Sequence, residues 1–231
     1  MQMNSENGAA NLGHRLGVTV KALLAIAAVT AVYGHLGSPH LSITTNFISD
    51  YAAAGYHWPW ICLTMALFGL IYFLVAFSAL HFSTHCPSSR IAGMAFAAGG
   101  LCMFFVAYYP TTRNGKGIAI WDPKDMWRQG WDAAYSNAHF DMIRMALFCL
   151  FVGISITSSC HLRVSGRQRH AMFSLILAAM MACLFVAGHS FPQHGLFQRS
   201  GFVLNWIWVW ITASQLGFWA NDNLNFGGAR R

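Results

Sequence analysis

Six long apolar stretches, separated by more polar connections, restrict this chain more than any other feature of its sequence. Each is near the ~20 residues that a helix needs to cross the hydrocarbon of a bilayer. Lipid offers the backbone no hydrogen-bonding partners, so runs this long form helices and not a sheet. The sequence therefore predicts six membrane-spanning helices, over residues 18–36, 58–82, 91–109, 138–159, 171–191 and 201–220.

The scarcity of charge indicates the fold class. Only 9% of the 231 residues are charged, against about 25% in a soluble domain. We expect an all-α polytopic transmembrane bundle of six helices over 17–221, between a disordered cytoplasmic tail at 1–16 and a second cytoplasmic tail at 222–231. The basic start of the first run is also typical of a signal peptide. No A-x-A-like cleavage site follows it, so we interpret it as a helix.

The distribution of lysine and arginine predicts the orientation. Arg15 and Lys21 lie at the start of the first helix and three arginines crowd the fourth connection, whereas the first connection has no basic residue. The positive-inside rule then places both termini in the cytoplasm. The third connection, 110–137, is basic as well, yet the alternation of the other connections places it outside. No basic patch interleaved with aromatic residues is present, so the net charge of +7 does not indicate a nucleic-acid partner.

A stripe of small residues indicates close packing of one helix. Gly93, Ala97 and Gly100 fall on one face of the third helix, where small side chains let another helix or a protein partner approach closely.

The six cysteines include no C-x-x-C pair, and none lies in a connection that we expect to face outside. The sequence therefore predicts no disulfide.

Ionisable residues gather where the fourth run begins, in SNAHFDMIR from Ser136 to Arg144. Charged groups at the edge of a membrane helix are costly to place there, which makes them functional candidates. The predicted topology brings polar residues of the other outward connections to the same face. The candidate ligand-binding residues are Ser49, Asp50, Arg113, His139, Asp141, Arg144 and Arg199.

This cluster has three interpretations that stay open. Its arginines offer forked donors that fit a lipid phosphate or another anion. Asp141 and Arg144 are three residues apart on one helical face and can simply pair with each other. The cluster can also be a structural hydrogen-bond network that joins the ends of the helices.

Three histidines suggest a metal site as well. His139, His189 and His194, with a carboxylate, form a workable zinc set, because such ligands leave an open position for water. That site would make the protein a hydrolase acting on a lipid headgroup. The spacing supports it only weakly, since H-x₄-H across a proline is no zinc motif and no H-E-x-x-H is present.

The third connection, 110–137, carries Trp121, Trp127 and Trp131 and leads directly into His139. Tryptophan is enriched at the headgroup level of membranes. We therefore expect this connection to form a lid over the polar face and to be a surface at which a protein partner docks.

Four short segments resemble landmarks of a known family. They are NFISDY at 46–51, YPTT at 109–112, His139 at the start of the fourth helix, and GLFQR at 195–199. Together they resemble the six-helix bacterial membrane family called domain of unknown function 998, across most of 18–220. The resemblance implies that architecture and a place in the bacterial cytoplasmic (inner) membrane, without an established activity. Thr112 stands where an acidic residue is common in the family.

These patterns favour binding of a lipid or small anion at the polar face, or service as an accessory subunit of a membrane complex. A metal-dependent hydrolase acting on a lipid headgroup is the alternative. A small-molecule transporter comes third, because the spans carry few charges and no inverted repeat is evident. The sequence does not decide whether the protein is an enzyme, and zinc is the cofactor that it suggests.

Overall fold

The computed structural model describes residues 2–37, 42–44, 48, 58–82, 88–108, 126–164, 166–191 and 193–228. Within these, the side chains at 2–7, 9, 58, 82, 126–140, 189, 190, 194 and 217–228 lie outside the description. The described part contains no strand and has six helices: α1 (Gln2–Leu36), α2 (Trp58–Phe82), α3 (Ser88–Tyr108), α4 (Met126–Leu162), α5 (Gln168–Ser190) and α6 (His194–Gly228). The predicted all-α fold of six helices is confirmed.

Five of these helices are long and apolar enough to cross a membrane. The spanning segments are Ala10–Leu36, Pro59–His81, Ser88–Tyr108, Asp141–Leu162 and Gln168–Gly188. Only described residues bear on this result, and the sixth span, at 201–220 in α6, stays a prediction. The chain is therefore a multi-pass helical membrane protein.

The helices run beyond the apolar stretches, and prolines indicate where four of them begin. Pro59 lies in the first turn of α2, and a proline precedes α3, α4 and α6 by one to three residues. Proline suits the first turn of a helix and interrupts its interior. No proline stands between Met1 and the first apolar run, or after Pro192. Accordingly α1 is helical from Gln2, inside the tail predicted to be disordered at 1–16. Similarly, α4 begins within the predicted loop 110–137, and α6 extends to Gly228, inside the predicted tail 222–231.

The helices form a closed ring in chain order. Each packs against its neighbours in sequence, and α1 also packs against α6, while α2 makes an additional contact with α6. Of the five spanning segments, that of α2 is the most buried, at 61%. Aromatic rings join α2 to α6, because Phe68 packs against both Phe202 and Trp206. Helix α2 therefore lies toward the centre of the ring.

The small-residue face of α3 packs against α2 of the same chain. Gly93 and Gly100 are buried, and a Cβ atom on Gly100 would lie 2.8 Å from the carbonyl oxygen of Gly69. The close approach of a helix, predicted from these small residues, is thus made within the bundle. Docking of a separate protein on this face of α3 stays a prediction.

One cysteine corrects the prediction that no disulfide forms. Cys160, near the end of α4, is disulfide-bonded, whereas Cys62, Cys102, Cys149 and Cys183 are free, and Cys86 lies outside the described residues. The prediction was wrong because it relied on the compartment assigned to each connection. A disulfide requires two sulfur atoms close together in the folded protein, and the sequence alone does not show which cysteines are close.

Candidate functional site

A cavity lies inside the ring, between α2, α3, α4, α5 and α6, with a volume of about 110 Å³. A single water needs roughly 10–15 Å³ measured in the same way, so the space suits a larger occupant. Most of its wall is apolar, and it includes Met65, Met103, Leu147, Met181, Leu184 and Phe185. We call this space the central cavity. Its lining favours a hydrocarbon chain over a hydrated solute.

Arg144 lines the central cavity near one end of the bundle. It lies in the first turn of the α4 span, Asp141–Leu162. Its Nη1 donates to Asp141 Oδ1 at 3.0 Å, and the two side chains are 56% and 64% exposed, respectively. The predicted pairing of these residues is therefore present. We call this end, where α1, α3 and α5 finish, the Arg144 end.

Two buried polar residues lie on the wall of the same cavity. Asn205 of α6 and Tyr72 of α2 are each 4% exposed, and both line the cavity. Asn205 Nδ2 donates to the Tyr72 hydroxyl oxygen at 2.7 Å. Among the described residues, Asn205 Oδ1 has no hydrogen-bond partner. A buried acceptor without a partner is costly, by about 1–3 kcal/mol.

Arg199 joins α6 to α1. Its Nε and Nη2 lie 3.2 and 3.1 Å from His35 Nε2, and its Nη1 donates to the Gly195 carbonyl at 3.0 Å. His35 Nδ1 is 2.6 Å from the Ala31 carbonyl oxygen. With Nε2 accepting from arginine, the ring proton is on Nδ1 and is donated to Ala31. Arg199, predicted as a ligand-binding residue, is thus engaged in contacts within the protein.

Helix α6 also contacts the described part of the first connection, residues 42–44 and 48. The Ile48 backbone N–H donates to Gln198 Oε1 at 2.6 Å, and the Leu196 N–H donates to the Thr44 carbonyl at 3.0 Å. Gln198 lines the central cavity. These residues of the first connection therefore lie next to the cavity at the Arg144 end.

The other predicted site residues remain untested. Ser49, Asp50 and Arg113 lie outside the described residues, as do the side chains of His139, His189 and His194. The segment 109–125, with most of the predicted lid, lies outside them too. Among the described side chains, no group of three or more His, Cys, Asp or Glu residues is placed to hold a metal ion. The zinc site stays a prediction.

The sequence reasoning missed Tyr72, Asn205, Gln198 and His35. A signal for Asn205 was present, because it is an amide inside an apolar run, and polar groups within membrane segments are often functional. Tyr72 gives no such signal, since tyrosine is common in membrane helices. Only the hydrogen bond with Asn205 draws attention to Tyr72.

Comparison with known families identifies the architecture. The model of the family described as "Protein of unknown function (DUF998)" matches residues 21–215. The chain belongs to this family, as its short motifs predict. No curated protein and no solved structure matches the chain.

Proposed function

We propose that this DUF998 protein binds a membrane lipid in the central cavity, with the phosphate or carboxylate of the lipid at Arg144. The observation that carries the proposal is the combination of an apolar cavity inside the bundle with an arginine on its wall at one end. Apolar contact with the cavity would hold the hydrocarbon chain, and the guanidinium would bind the anionic group.

Two properties of the site support a lipid ligand. Three methionines line the cavity, Met65, Met103 and Met181, and methionine adapts to irregular apolar shapes because its side chain is flexible. Arg144 is paired with Asp141, but both side chains are largely exposed. An exposed pair contributes only about 0–1 kcal/mol, so a lipid phosphate can replace the carboxylate at little cost.

We place the protein in a bacterial cytoplasmic membrane with both termini in the cytoplasm and Arg144 toward the outside. The support is the basic residues, which cluster at the start of α1 and between α4 and α5. The alternatives of an accessory subunit, a metal-dependent hydrolase and a transporter stay predictions, because no described contact favours them.

The test compares two neighbouring residues of α4. Leu147 lines the central cavity, whereas Phe148 is 63% exposed on the outside of the bundle. We expect Leu147→Trp to fill the cavity and remove lipid that co-purifies with the full chain in mild detergent. Phe148→Trp leaves the cavity unchanged. Native mass spectrometry measures the bound lipid.

Two further measurements make the result decisive. Arg144→Gln should reduce retention of anionic lipids selectively, with the melting temperature unchanged. Absence of bound lipid in the wild type, or equal retention by Leu147→Trp and Phe148→Trp, would contradict the proposal.

A further inference from the structure

We propose that a groove on the outside of the bundle, between α1 and α6, binds an anionic phospholipid, with the lipid phosphate at Lys21 and one acyl chain along the groove. This is a second site, and it does not depend on the lipid proposed for the central cavity. Among the described residues, none lines both spaces. The inference comes from a lysine inside a spanning segment that lies next to an apolar groove.

The groove follows the contact between α1 and α6 and has a volume of about 400 Å³. Its wall is almost wholly apolar and includes Leu24, Ala25 and Ala28 of α1 together with Ile207 and Trp210 of α6. The last two side chains are 40% and 49% exposed, so the groove opens to the outside of the bundle. Such a surface suits a hydrocarbon chain, because a polar solute there would lose its hydration without compensation.

Lys21 lies beside this groove. It is half-buried within the spanning segment Ala10–Leu36, and it precedes His35 by fourteen residues, which places it about 21 Å from the Arg144 end. Its Nζ lies 5.2 Å from the centroid of the Trp210 ring, a cation–π contact. Leu24 and Ala25 follow Lys21 by three and four residues and therefore share its face of α1. The cation is thus next to the apolar wall.

No acidic side chain among the described residues neutralises this charge. Lys21 makes the contact with Trp210 but no hydrogen bond or ion pair within the described part of the chain. Asp141 carries the single carboxylate among the described side chains, and it lies at the Arg144 end. An ammonium group has three N–H donors, and a charge without a partner inside a membrane span is costly. An anion that reaches this depth would therefore be bound.

A phospholipid fits both parts of the site better than an acidic residue on the helix of another protein. Basic sites between membrane helices bind anionic headgroups, and seven residues of α1 between Lys21 and Ala28 leave about 10 Å of groove for the chain below the phosphate. Helices that pack together in membranes bring small residues into contact. The α6 side of the groove consists of tryptophan and isoleucine, which would keep a third helix at a distance.

The experiment labels the groove with photoreactive lipids. The full chain is placed in nanodiscs of equal phosphatidylglycerol and phosphatidylcholine, and one of the two lipids carries a diazirine in an acyl chain. Mass spectrometry compares labelling at Ala25 and Ala28 with labelling at Phe148, which is 63% exposed on the outside of α4 and reports bulk lipid. We expect this ratio to be about fivefold higher for phosphatidylglycerol, the attraction of one lysine for anionic lipid.

Variants of two cations of α1 assign the effect. Lys21→Gln should remove the preference for phosphatidylglycerol, and Lys21→Arg, which keeps the charge, should retain it. Arg15→Gln is the matched control, because Arg15 is exposed, donates to Asn11 Oδ1 at 3.1 Å and does not line the groove. It should leave the preference unchanged. Lys21→Met gives the same comparison if Lys21→Gln folds poorly.

Three results would overturn the proposal. The first is equal labelling of the groove by both lipids in the wild type. The second is a preference that persists without the charge of Lys21, or one that Arg15→Gln removes as fully, since either shows general attraction to the surface. The third is a groove labelled in nanodiscs but protected in native membranes, which would indicate an acidic helix of a partner. Arg144→Gln should not affect labelling of the groove, so this proposal and that of the central cavity fail separately.

Discussion

Arg144 and Arg199 have the same side chain but different neighbours. Arg199 is held by His35 and by the Gly195 carbonyl, so its forked donors are used between helices. Arg144 is paired with an exposed carboxylate and lines a cavity. The sequence analysis predicted both as ligand-binding residues, because both were expected on the outward face. The contacts hold Arg199 between α6 and α1, and Arg144 is the residue for which we propose an anionic ligand.

Removal of the imidazole of His35 should weaken the junction of α1 and α6. We expect His35→Ala to lower the free energy of unfolding by about 1–3 kcal/mol, because Arg199 loses its contacts with Nε2 and hydrogen bonds to charged groups are among the stronger ones. Thermal unfolding in detergent measures the change. His14→Ala, which alters an exposed histidine of the same helix, is the control. Equal melting temperatures for both variants would show that the junction contributes little.

Contacts between side chains close in sequence could be predicted, and contacts between distant side chains could not. The spacing of Asp141 and Arg144 on one helix predicts their salt bridge, and the structure has it. The bond between Tyr72 and Asn205 joins residues 133 positions apart. Such a contact depends on the rotation and depth of two helices, which a single apolar sequence pattern does not determine.

The same limit applies to whole helices. Long apolar runs predicted where helices cross the membrane, because the thickness of the bilayer fixes their length. The small residues of α3 predicted that some helix approaches closely, and α2 does so at Gly100. Which helix it would be could not be predicted, since lipid and neighbouring helices are equally apolar.

A methyl group at the contact of α2 and α3 should force these helices apart. We expect Gly100→Ala to destabilise the bundle by about 1–3 kcal/mol, because its Cβ would lie 2.8 Å from the backbone oxygen of Gly69. Gly201→Ala is the control, since nothing lies within 4 Å of a Cβ placed there. The same exchange should be neutral or slightly stabilising at that helical position. Chemical unfolding in detergent compares the variants, and equal stability would contradict the tight contact.

For the molecule as a whole, closing the ring creates the cavity. Packing in chain order leaves α1 beside α6, and α2 lies toward the centre. The space left between α2 and the helices α3 to α6 is the central cavity. The sequence predicted six helices, and helices that follow one another in the chain are expected to pack together. The inward position of α2 was not predictable, because the charge-poor runs give little indication of which helix is central.

The orientation and the disulfide make opposite predictions about one end of the molecule. Arg163, Arg167 and Arg169 follow α4 and favour a cytoplasmic location for that end. Cys160 lies at the same end and is disulfide-bonded, whereas disulfides are rare in the cytoplasm, where thiols are kept reduced. The two observations agree if the bond present in the structure forms only after the protein leaves the reducing cytoplasm.

Alkylation before lysis tests that reconciliation. We expect N-ethylmaleimide, which crosses membranes, to modify Cys160 in growing cells without added reductant, because the cytoplasm holds it as a thiol. The same peptide should resist alkylation when cells are lysed in air first, since oxygen then oxidises the thiol to the disulfide present in the structure. Mass spectrometry of the peptide containing Cys160 reads both states, and Cys160→Ser identifies the signal. A Cys160 that resists alkylation in intact cells until reductant is added would place this end in an oxidising compartment. The topology would then be inverted, with the Arg144 end in the cytoplasm, and the lipid would be bound from the inner leaflet.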